Sequence, residues 1–135
     1  MKRSFYFIVI CLLTIVFVNC GHKSTPTSVA EEAVKCLQKK DFKGYAGYLN
    51  LPNEYLEQKD SIIEVIGIFL NKQIGDILDL KGGIIDYEIQ EETIDEESGT
   101  AIVPVLYIYG NGDKYTNKFA LVKDSKGEWK LNYGD

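Results

Sequence analysis

Few side chains in this sequence could act as nucleophiles or metal ligands. The sole histidine, His22, precedes the first predicted helix. Catalytic serines and cysteines commonly need a neighbouring base, and zinc sites commonly use imidazole. We therefore expect neither a Ser-His or Cys-His pair nor a histidine-based zinc site in the folded domain. Cys36 falls at an apolar helix position, which indicates a small buried hydrophobe rather than a reactive thiol. The sequence predicts no metal centre and no cofactor.

Carboxylates are plentiful, but none occupies a position typical of a buried general base. Asp86 and Glu88 alternate with Tyr87 and so fall on the opposite side of their predicted strand. Five carboxylates between residues 91 and 97 lack the spacing of a calcium-binding loop, which indicates a solvated turn. A proton-transferring enzyme of this kind needs a desolvated acid beside a donor such as tyrosine. We therefore predict that the protein is not an enzyme.

Aromatic side chains offer the clearest binding chemistry in the sequence. Tyrosine and tryptophan combine apolar bulk with a polar tip, which suits the lining of a ligand pocket. The alternative is that these residues only fill the core. We predict that five of them line the mouth of a pocket: Tyr45, Tyr48, Tyr87, Trp129 and Tyr133.

A sheet near the C-terminus must position many of these side chains. Residues 100–109 are rich in β-branched and aromatic side chains, and residues 128–133 alternate apolar and polar positions. Residues 83–94 form an additional alternating segment before them. Pro104 predicts a bulge or bend, because proline removes a hydrogen-bond donor from a central strand. These segments predict an antiparallel meander of four strands.

The hairpin within this sheet sets which residues share a face. Asn111-Gly112 predicts a two-residue turn that pairs Tyr109 with Lys114. In that register one face carries Ile102, Leu106, Ile108, Tyr115, Phe119 and Leu121, and we assign it to the helices. Large apolar residues on the other face predict an interface with a second copy or with another protein of the cell envelope. The predicted interface residues are Val103, Val105, Tyr107 and Tyr109.

Three helices are predicted before the sheet. Thr25-Pro26 begins the first, and a Ser28–Glu31 capping box is the alternative start. Asp41 caps a short second helix over residues 42–49, which is weakened by two glycines. A long third helix runs from about residue 60 to residue 80 and ends at a pair of glycines. The fold class is therefore α+β, with N-terminal helices packed on the meander.

The N-terminus predicts export and a lipid anchor. Basic residues at positions 2 and 3 precede an apolar run over residues 5–18, which is short for a membrane span and typical of a secretory signal. Residues 17–20 resemble a bacterial lipobox that ends in Cys20, although Asn19 departs from the small residues usual there. We predict a signal peptide over residues 1–19, a lipidated tether over 20–25 and one domain over 26–135. Acylated Cys20 would tie that domain to the lipid bilayer.

Charge argues against nucleic acid as a partner. Removal of residues 1–19 takes two of the 15 basic residues and none of the 20 acidic ones, which leaves a net charge of −7. An acidic chain without a basic cluster is not suited to the phosphate backbone. We therefore predict no nucleic-acid binding.

A resemblance to a known superfamily rests on three groups of residues: Thr25-Pro26, Lys40-Asp41-Phe42, and residues 119–123 running through Gly127 to Trp129-Lys130-Leu131. Over most of residues 25–133 the chain resembles the nuclear transport factor two-like, or cystatin-like, superfamily. It also resembles small lipoproteins of Bacteroidetes. The superfamily resemblance implies a cone-shaped fold, in which a curved sheet wraps the long helix and leaves a pocket at the wide end.

In the resembling superfamily some members are isomerases or cyclases and many only bind, and fold alone does not choose between these functions. The lack of an acid at an inward position favours binding. We predict a membrane-anchored, non-catalytic domain that binds a small ligand or a protein partner in the cell envelope. The alternative is an isomerase- or cyclase-like enzyme with a pocket carboxylate and a tyrosine. No acidic residue directly follows Cys20. By resemblance to the Bacteroidetes lipoproteins, this implies an outer-membrane anchor that faces the periplasm.

Overall fold

The computed structural model describes residues 24–132, which form a layer of helices followed by a curved antiparallel sheet. The helical part comprises α1 (Pro26–Lys39), α2 (Phe42–Ala46), a 3₁₀ turn (Asn53–Gln58), α3 (Lys59–Leu70), a π-helical segment (Asn71–Gly75) and α4 (Asp76–Lys81). The strands are β1 (Ile84–Ile89), β2 (Thr93–Asp95), β3 (Thr100–Tyr109), β4 (Lys114–Lys123) and β5 (Trp129–Leu131). This arrangement confirms the predicted α+β class, with five strands in place of four.

Helix α1 begins where the sequence predicts. Thr25 Oγ1 accepts a hydrogen bond from the Ser28 backbone N–H at 3.1 Å, and the Thr25 N–H donates to Ser28 Oγ at 3.0 Å. This reciprocal capping box satisfies two backbone groups that the first turn leaves open. The helix buries an apolar face against β1, β3 and β5; its buried residues are Pro26, Val29, Ala30, Ala33, Val34 and Leu37.

Helix α2 is shorter than predicted. Asp41 accepts a hydrogen bond from the Gly44 N–H at 2.9 Å, as its predicted role as a cap requires. The helix ends at Ala46, and the chain after it extends beside β5. The Asn50 N–H donates to the Leu131 carbonyl, and the Leu131 N–H donates to that of Tyr48, both at 2.8 Å. The last strand is therefore partly covered on its open edge.

Helix α3, the π segment and α4 form one continuous rod, here called the long helix. Residues at both junctions keep right-handed helical backbone angles. The rod packs against α2, and Gly67 allows this because a Cβ there would press on the Lys43 backbone at 3.1 Å. The rod therefore joins the rest of the fold along the side that carries Gly67. No helix within residues 24–132 is long and apolar enough to cross a membrane.

The strand order is β1-β3-β4-β5, and β2 also pairs with β3. The predicted first strand is divided, because residues 90–92 leave the ladder between the Ile89–Val105 and Thr93–Ile102 pairs. Residues 90–92 therefore lie opposite only two residues of β3, 103 and 104, and this mismatch is a β-bulge. Pro104 lies at this break, where the Gln90 N–H donates to its carbonyl oxygen at 2.9 Å. The irregularity predicted at Pro104 is thus on the neighbouring strand, and β3 itself pairs with β4 without interruption.

The predicted register of the β3–β4 hairpin is wrong by one residue. Ile108 pairs with Lys114 and Tyr107 with Tyr115. The Gly112 N–H donates to the Tyr109 carbonyl at 2.9 Å, and the Tyr109 N–H donates to that of Asp113 at 2.9 Å. Together with the positive φ of 93° at Gly112, these bonds define a three-residue loop rather than a two-residue one.

This shift reverses the predicted face of β3. The prediction that Val103, Val105, Tyr107 and Tyr109 form an exposed interface is wrong, because these side chains are between 0% and 6% exposed and belong to the core. Leu106 and Ile108 are half-buried on the outer face, and Ile102 is exposed. The predicted burial of Phe119 and Leu121 is confirmed. A register error of one residue reverses the face of one strand relative to its partner. The face of β4 was therefore predicted correctly, and the face of β3 was not.

Candidate ligand-binding cleft

A cleft opens where the C-terminal end of the long helix meets the tip of the β3–β4 hairpin. The Asn111 N–H donates to the Lys81 carbonyl oxygen and the Gly110 N–H to that of Gly83, both at 2.9 Å. The segments approach so closely that a Cβ on Gly110 would collide with the Gly82 carbonyl. Gly82 also has a φ of 82°, which favours glycine. These contacts fix the helix end against the hairpin.

Residues from the helix and from both strands of the hairpin line the cleft. Its volume of about 380 Å³ is at the lower end of the range for small-molecule sites, roughly 300–1,000 Å³. It is open to solvent on one side, and its lining residues are Ile77, Lys81, Tyr109, Asp113, Lys114 and Tyr115. The lining therefore has an apolar and aromatic part, here called the floor, and a charged part, here called the rim.

Aromatic rings extend from the core to the floor of this cleft. The Tyr107 ring centroid lies 6.2 Å from that of Tyr109, 6.3 Å from that of Tyr115 and 6.5 Å from that of Phe119. The rings are tilted or edge-on, which is the favourable geometry for aromatic pairs. Tyr107 is buried, whereas 56% of Tyr115 is exposed. Tyr115 is thus supported from behind and still offers its surface to a ligand.

The buried tyrosine hydroxyls beside the cleft act as neutral hydrogen-bonding groups. Burial raises the pKa of Tyr107, and the neighbouring tyrosines raise it further, against the opposing effect of a hydrogen bond from Asn117. In that bond Asn117 Nδ2 donates to the Tyr107 hydroxyl oxygen at 3.1 Å. Burial also raises the pKa of Tyr109, with smaller contributions from Tyr115 and Asp113. Both phenols therefore stay protonated near neutral pH.

Three charged groups stand at the rim, and two of them neutralise each other. Lys81 Nζ lies 3.3 Å from Asp113 Oδ2 and 5.1 Å from the centre of the Tyr109 ring. Asn111 Nδ2 also donates to Asp113 Oδ2 at 3.2 Å. Lys114 lines the same rim and forms no ion pair with another residue of the described range. The remaining uncompensated charge in the cleft is therefore positive.

The charged side chains that line the cleft are not buried. No charged residue is buried among residues 24–132. Asp113, the carboxylate of the cleft, has a side chain that is 58% exposed and is paired with Lys81. The described residues also contain no cluster of three or more potential metal ligands.

The structure does not bring the predicted pocket residues into one site. Tyr45 is half-buried against the core, close enough to Tyr107 to influence its pKa. Tyr87 donates its hydroxyl hydrogen to Glu31 Oε2 at 3.3 Å, beside α1. Trp129 is buried on β5, with Lys123 Nζ 5.3 Å from its ring centre. Tyr133 and the lipidation candidate Cys20 lie outside the described residues.

Tyr48 lines a separate surface depression together with Cys36. This depression has mixed charge, with Glu32, Lys35, Lys39 and Asp41 also around it. Burial raises the pKa of the Cys36 thiol, and the negative charges of Asp41 and Glu32 raise it further. The thiol is therefore protonated and weakly nucleophilic near neutral pH. The prediction that Cys36 is a buried hydrophobe is wrong, because its side chain is only half-buried beside this depression.

The lining of the cleft was missed in the sequence because it depends on the hairpin register. Tyr115 joins Tyr107 and Tyr109 on one face only when the loop has three residues. Ile77 is one of several apolar residues that surround the long helix, and its place beside Tyr115 follows from the contact between helix end and hairpin. Asn-Gly flanked by Gly110 is the signal that could have suggested a longer loop.

Comparisons with known proteins agree with this architecture. A family model described as a domain of unknown function, DUF4878, matches residues 18–132. No curated protein matches the sequence. Among solved structures, the 2.00 Å crystal structure of a Campylobacter jejuni protein named "Putative NTF2-like transpeptidase" aligns with a TM-score of 0.63 and 21% identity, over 82% of this chain and 100% of that one. This likeness confirms the NTF2-like fold.

Proposed function

Since the chain belongs to the DUF4878 family and has an NTF2-like fold, we propose that it is a non-catalytic binding domain, with the cleft at the end of the long helix as its site. We further propose that acylated Cys20 anchors this domain in the cell envelope, facing the periplasm. The observation that carries the binding function is Tyr115, which is 56% exposed yet packed against buried Tyr107. A large aromatic side chain held rigid and half-exposed in a concave site is typical of ligand recognition.

The chemistry of the cleft favours a small amphipathic anion. Ile77 and Tyr115 offer an apolar wall and an aromatic floor for the body of the ligand. Lys114 supplies a positive charge that no described residue neutralises, while Lys81 is already paired with Asp113. The protonated hydroxyl of Tyr109 adds a neutral hydrogen-bonding group nearby. An organic carboxylate, phosphate or sulfonate with an apolar or aromatic body would meet each of these groups.

The position of the cleft favours a ligand from the aqueous phase over a membrane lipid. The first described residue, Ser24, accepts a hydrogen bond from the Trp129 N–H at 2.9 Å, and Trp129 pairs with Lys123 at the far end of β4. The cleft is at the other end of β4, whose ten residues span roughly 30 Å at about 3.3 Å per residue. A chain anchored shortly before Ser24 therefore presents its cleft away from the bilayer.

Binding is favoured over catalysis on chemical grounds. The C. jejuni protein is named a transpeptidase, and acyl transfer requires an activated nucleophile. In this chain the Cys36 thiol has a raised pKa and residues 24–132 contain no histidine to act as its base. The carboxylate of the cleft, Asp113, is exposed and ion-paired, so an isomerase-like mechanism also lacks its acid.

Fluorescence titration with 8-anilinonaphthalene-1-sulfonate, an aromatic sulfonate, tests this function. Tyr115→Ala should weaken binding about 2- to 12-fold, which corresponds to the roughly 0.5–1.5 kcal/mol of an aromatic contact. Lys114→Glu should also weaken binding and reduce its dependence on salt, because it reverses the attracting charge. Lys118→Glu is the matched control, since it makes the same charge change on the same strand outside the cleft. Equal affinities in all four proteins would contradict the proposal.

A further inference from the structure

The long helix has a second apolar side that the rest of the described fold leaves uncovered. Two positions along a helix correspond to a rotation of about 200°, so residues two apart lie on nearly opposite sides. Four exposed residues, between 51% and 84% exposed, follow buried ones at this interval: Val65 after Ile63, Phe69 after Gly67, Ile77 after Gly75, and Leu80 after Leu78. We call Val65, Phe69, Ile77 and Leu80 the outer stripe.

The outer stripe is nearly symmetric along the helix about its one central polar residue. Phe69 and Ile77 lie four residues before and after Gln73, and Val65 and Leu80 lie eight before and seven after it. An antiparallel pair of such helices, related by a twofold axis at Gln73, would place each apolar residue beside an apolar residue. The Gln73 amide is both a donor and an acceptor, so two copies could hydrogen-bond to each other at the axis.

The charged residues along one flank of the stripe would also match those of a second copy. Lys72 and Asp76 are four residues apart and therefore lie on the same flank. A twofold axis perpendicular to two antiparallel helices brings each flank against the same flank of the other copy. Lys72 then lies within one turn of Asp76 of the second copy. Both side chains are exposed, and neither forms an ion pair within residues 24–132.

We propose that two copies of this chain associate through their outer stripes, with the long helices antiparallel. The stripe spans 15 residues, which is roughly 22 Å of helix. Ile68, on the flank of the stripe, adds another large apolar side chain that is 57% exposed. At about 100 Å² for each half-exposed side chain, five of them offer roughly 500 Å² per copy before the polar flank is counted. A stable interface buries about 800 Å² per partner, so the surface suits a weak dimer.

A bilayer fits this surface less well than a second copy does. Interfacial membrane helices flank their apolar side with lysine and arginine. Here the outer stripe is flanked by Asp76 as well as Lys72, and the net charge of the chain is −5. The mixed flank matches a copy of itself and would be repelled in part by an anionic membrane surface.

Disulfide trapping of the full chain tests this dimer. Gln73→Cys places a thiol at the proposed twofold axis, and Glu64→Cys places one at an exposed position off the stripe as a matched control. After copper–phenanthroline oxidation of a lysate, non-reducing electrophoresis should show at least tenfold more dimer for Gln73→Cys than for the control. The unsubstituted chain gives the background from its own cysteines. Equal yields for the two variants, or no dimer from Gln73→Cys, would overturn the proposal.

A second substitution separates loss of the interface from loss of the fold. Phe69→Glu, added to Gln73→Cys, should lower the dimer yield at least fivefold while circular dichroism stays unchanged. Ile85→Glu is its control, because Ile85 is 63% exposed, against 55% for Phe69, but lies on β1. An undiminished yield with Phe69→Glu, or an equal reduction with Ile85→Glu, would contradict pairing through the stripe. Vesicle flotation that depends on Phe69 with no dimer would assign the surface to a membrane instead.

Discussion

The orientation of β3 can be tested with a substitution that changes chemistry but hardly changes shape. Val105 is 0% exposed, so Val105→Thr places a hydroxyl where no solvent reaches it. An unpartnered buried hydroxyl costs about 1–3 kcal/mol. A domain of this size loses about 4 °C of melting temperature per kcal/mol, so we expect a decrease of about 4–12 °C. Threonine retains a high preference for strands, which keeps the effect specific to burial.

The matched control for this experiment is Ile102, an exposed residue on the outer face of the same strand. Ile102→Thr affects a side chain that is 40% exposed, and its hydroxyl can reach water, so its effect should stay within about 0.5 kcal/mol. Thermal denaturation followed by circular dichroism measures both variants. A stable Val105→Thr together with a destabilised Ile102→Thr would show that the outward face is the one that carries Val105, and would refute the three-residue hairpin loop.

Three further predictions concern other parts of the chain. Cys20→Ala should abolish metabolic labelling with a fatty acid, and persistent labelling would show that Cys20 is not the lipidation site. Trp129→Ala, at a buried position, should cost about 3–5 kcal/mol, and an unchanged melting temperature would show that the ring is not packed. The raised pKa of Tyr107 means that the folded state retains this proton longer than the unfolded state. Stability should therefore fall as pH rises above about 10, and Tyr107→Phe should make that fall shallower in denaturation series between pH 8 and 12.

The sequence was sufficient for those elements whose signals are local. Thr25 and Asp41 cap helices because their side chains satisfy backbone N–H groups within three residues, and both caps are present. Phe119 and Leu121 on β4 lie two residues apart, so strand periodicity places them on one face, and both are buried there. Strand β3 is apolar on both faces, so its orientation depended on the hairpin register. Asn-Gly fits both a two-residue loop and the three-residue loop that is present.

The long helix was ambiguous for a related reason. It is apolar on two sides, and hydrophobic periodicity does not say which side packs. The two glycines, Gly67 and Gly75, mark the side of the long helix that packs on the fold. Gly67 lets α2 approach the helix backbone closely. The scattered positions of Tyr48, Tyr87 and Trp129 have a different cause. Tyrosine and tryptophan suit a core, a surface depression and a pocket alike, so residue type alone could not gather them into one site.

The proposed ligand site and the proposed dimer interface share one residue, Ile77, which lines the cleft and also belongs to the outer stripe. In the antiparallel pair, Phe69 of the second copy would lie beside Ile77 and narrow the open side of the cleft. If Phe69 of the second copy contacts the bound ligand, ligand binding and dimerisation are coupled favourably, and thermodynamic linkage requires each to change the affinity of the other by the same factor. The affinity for 8-anilinonaphthalene-1-sulfonate should therefore rise with protein concentration in the unsubstituted chain and stay constant in Phe69→Glu. A concentration-independent affinity in both proteins would leave the dimer and the cleft as separate features, each decided by its own experiment.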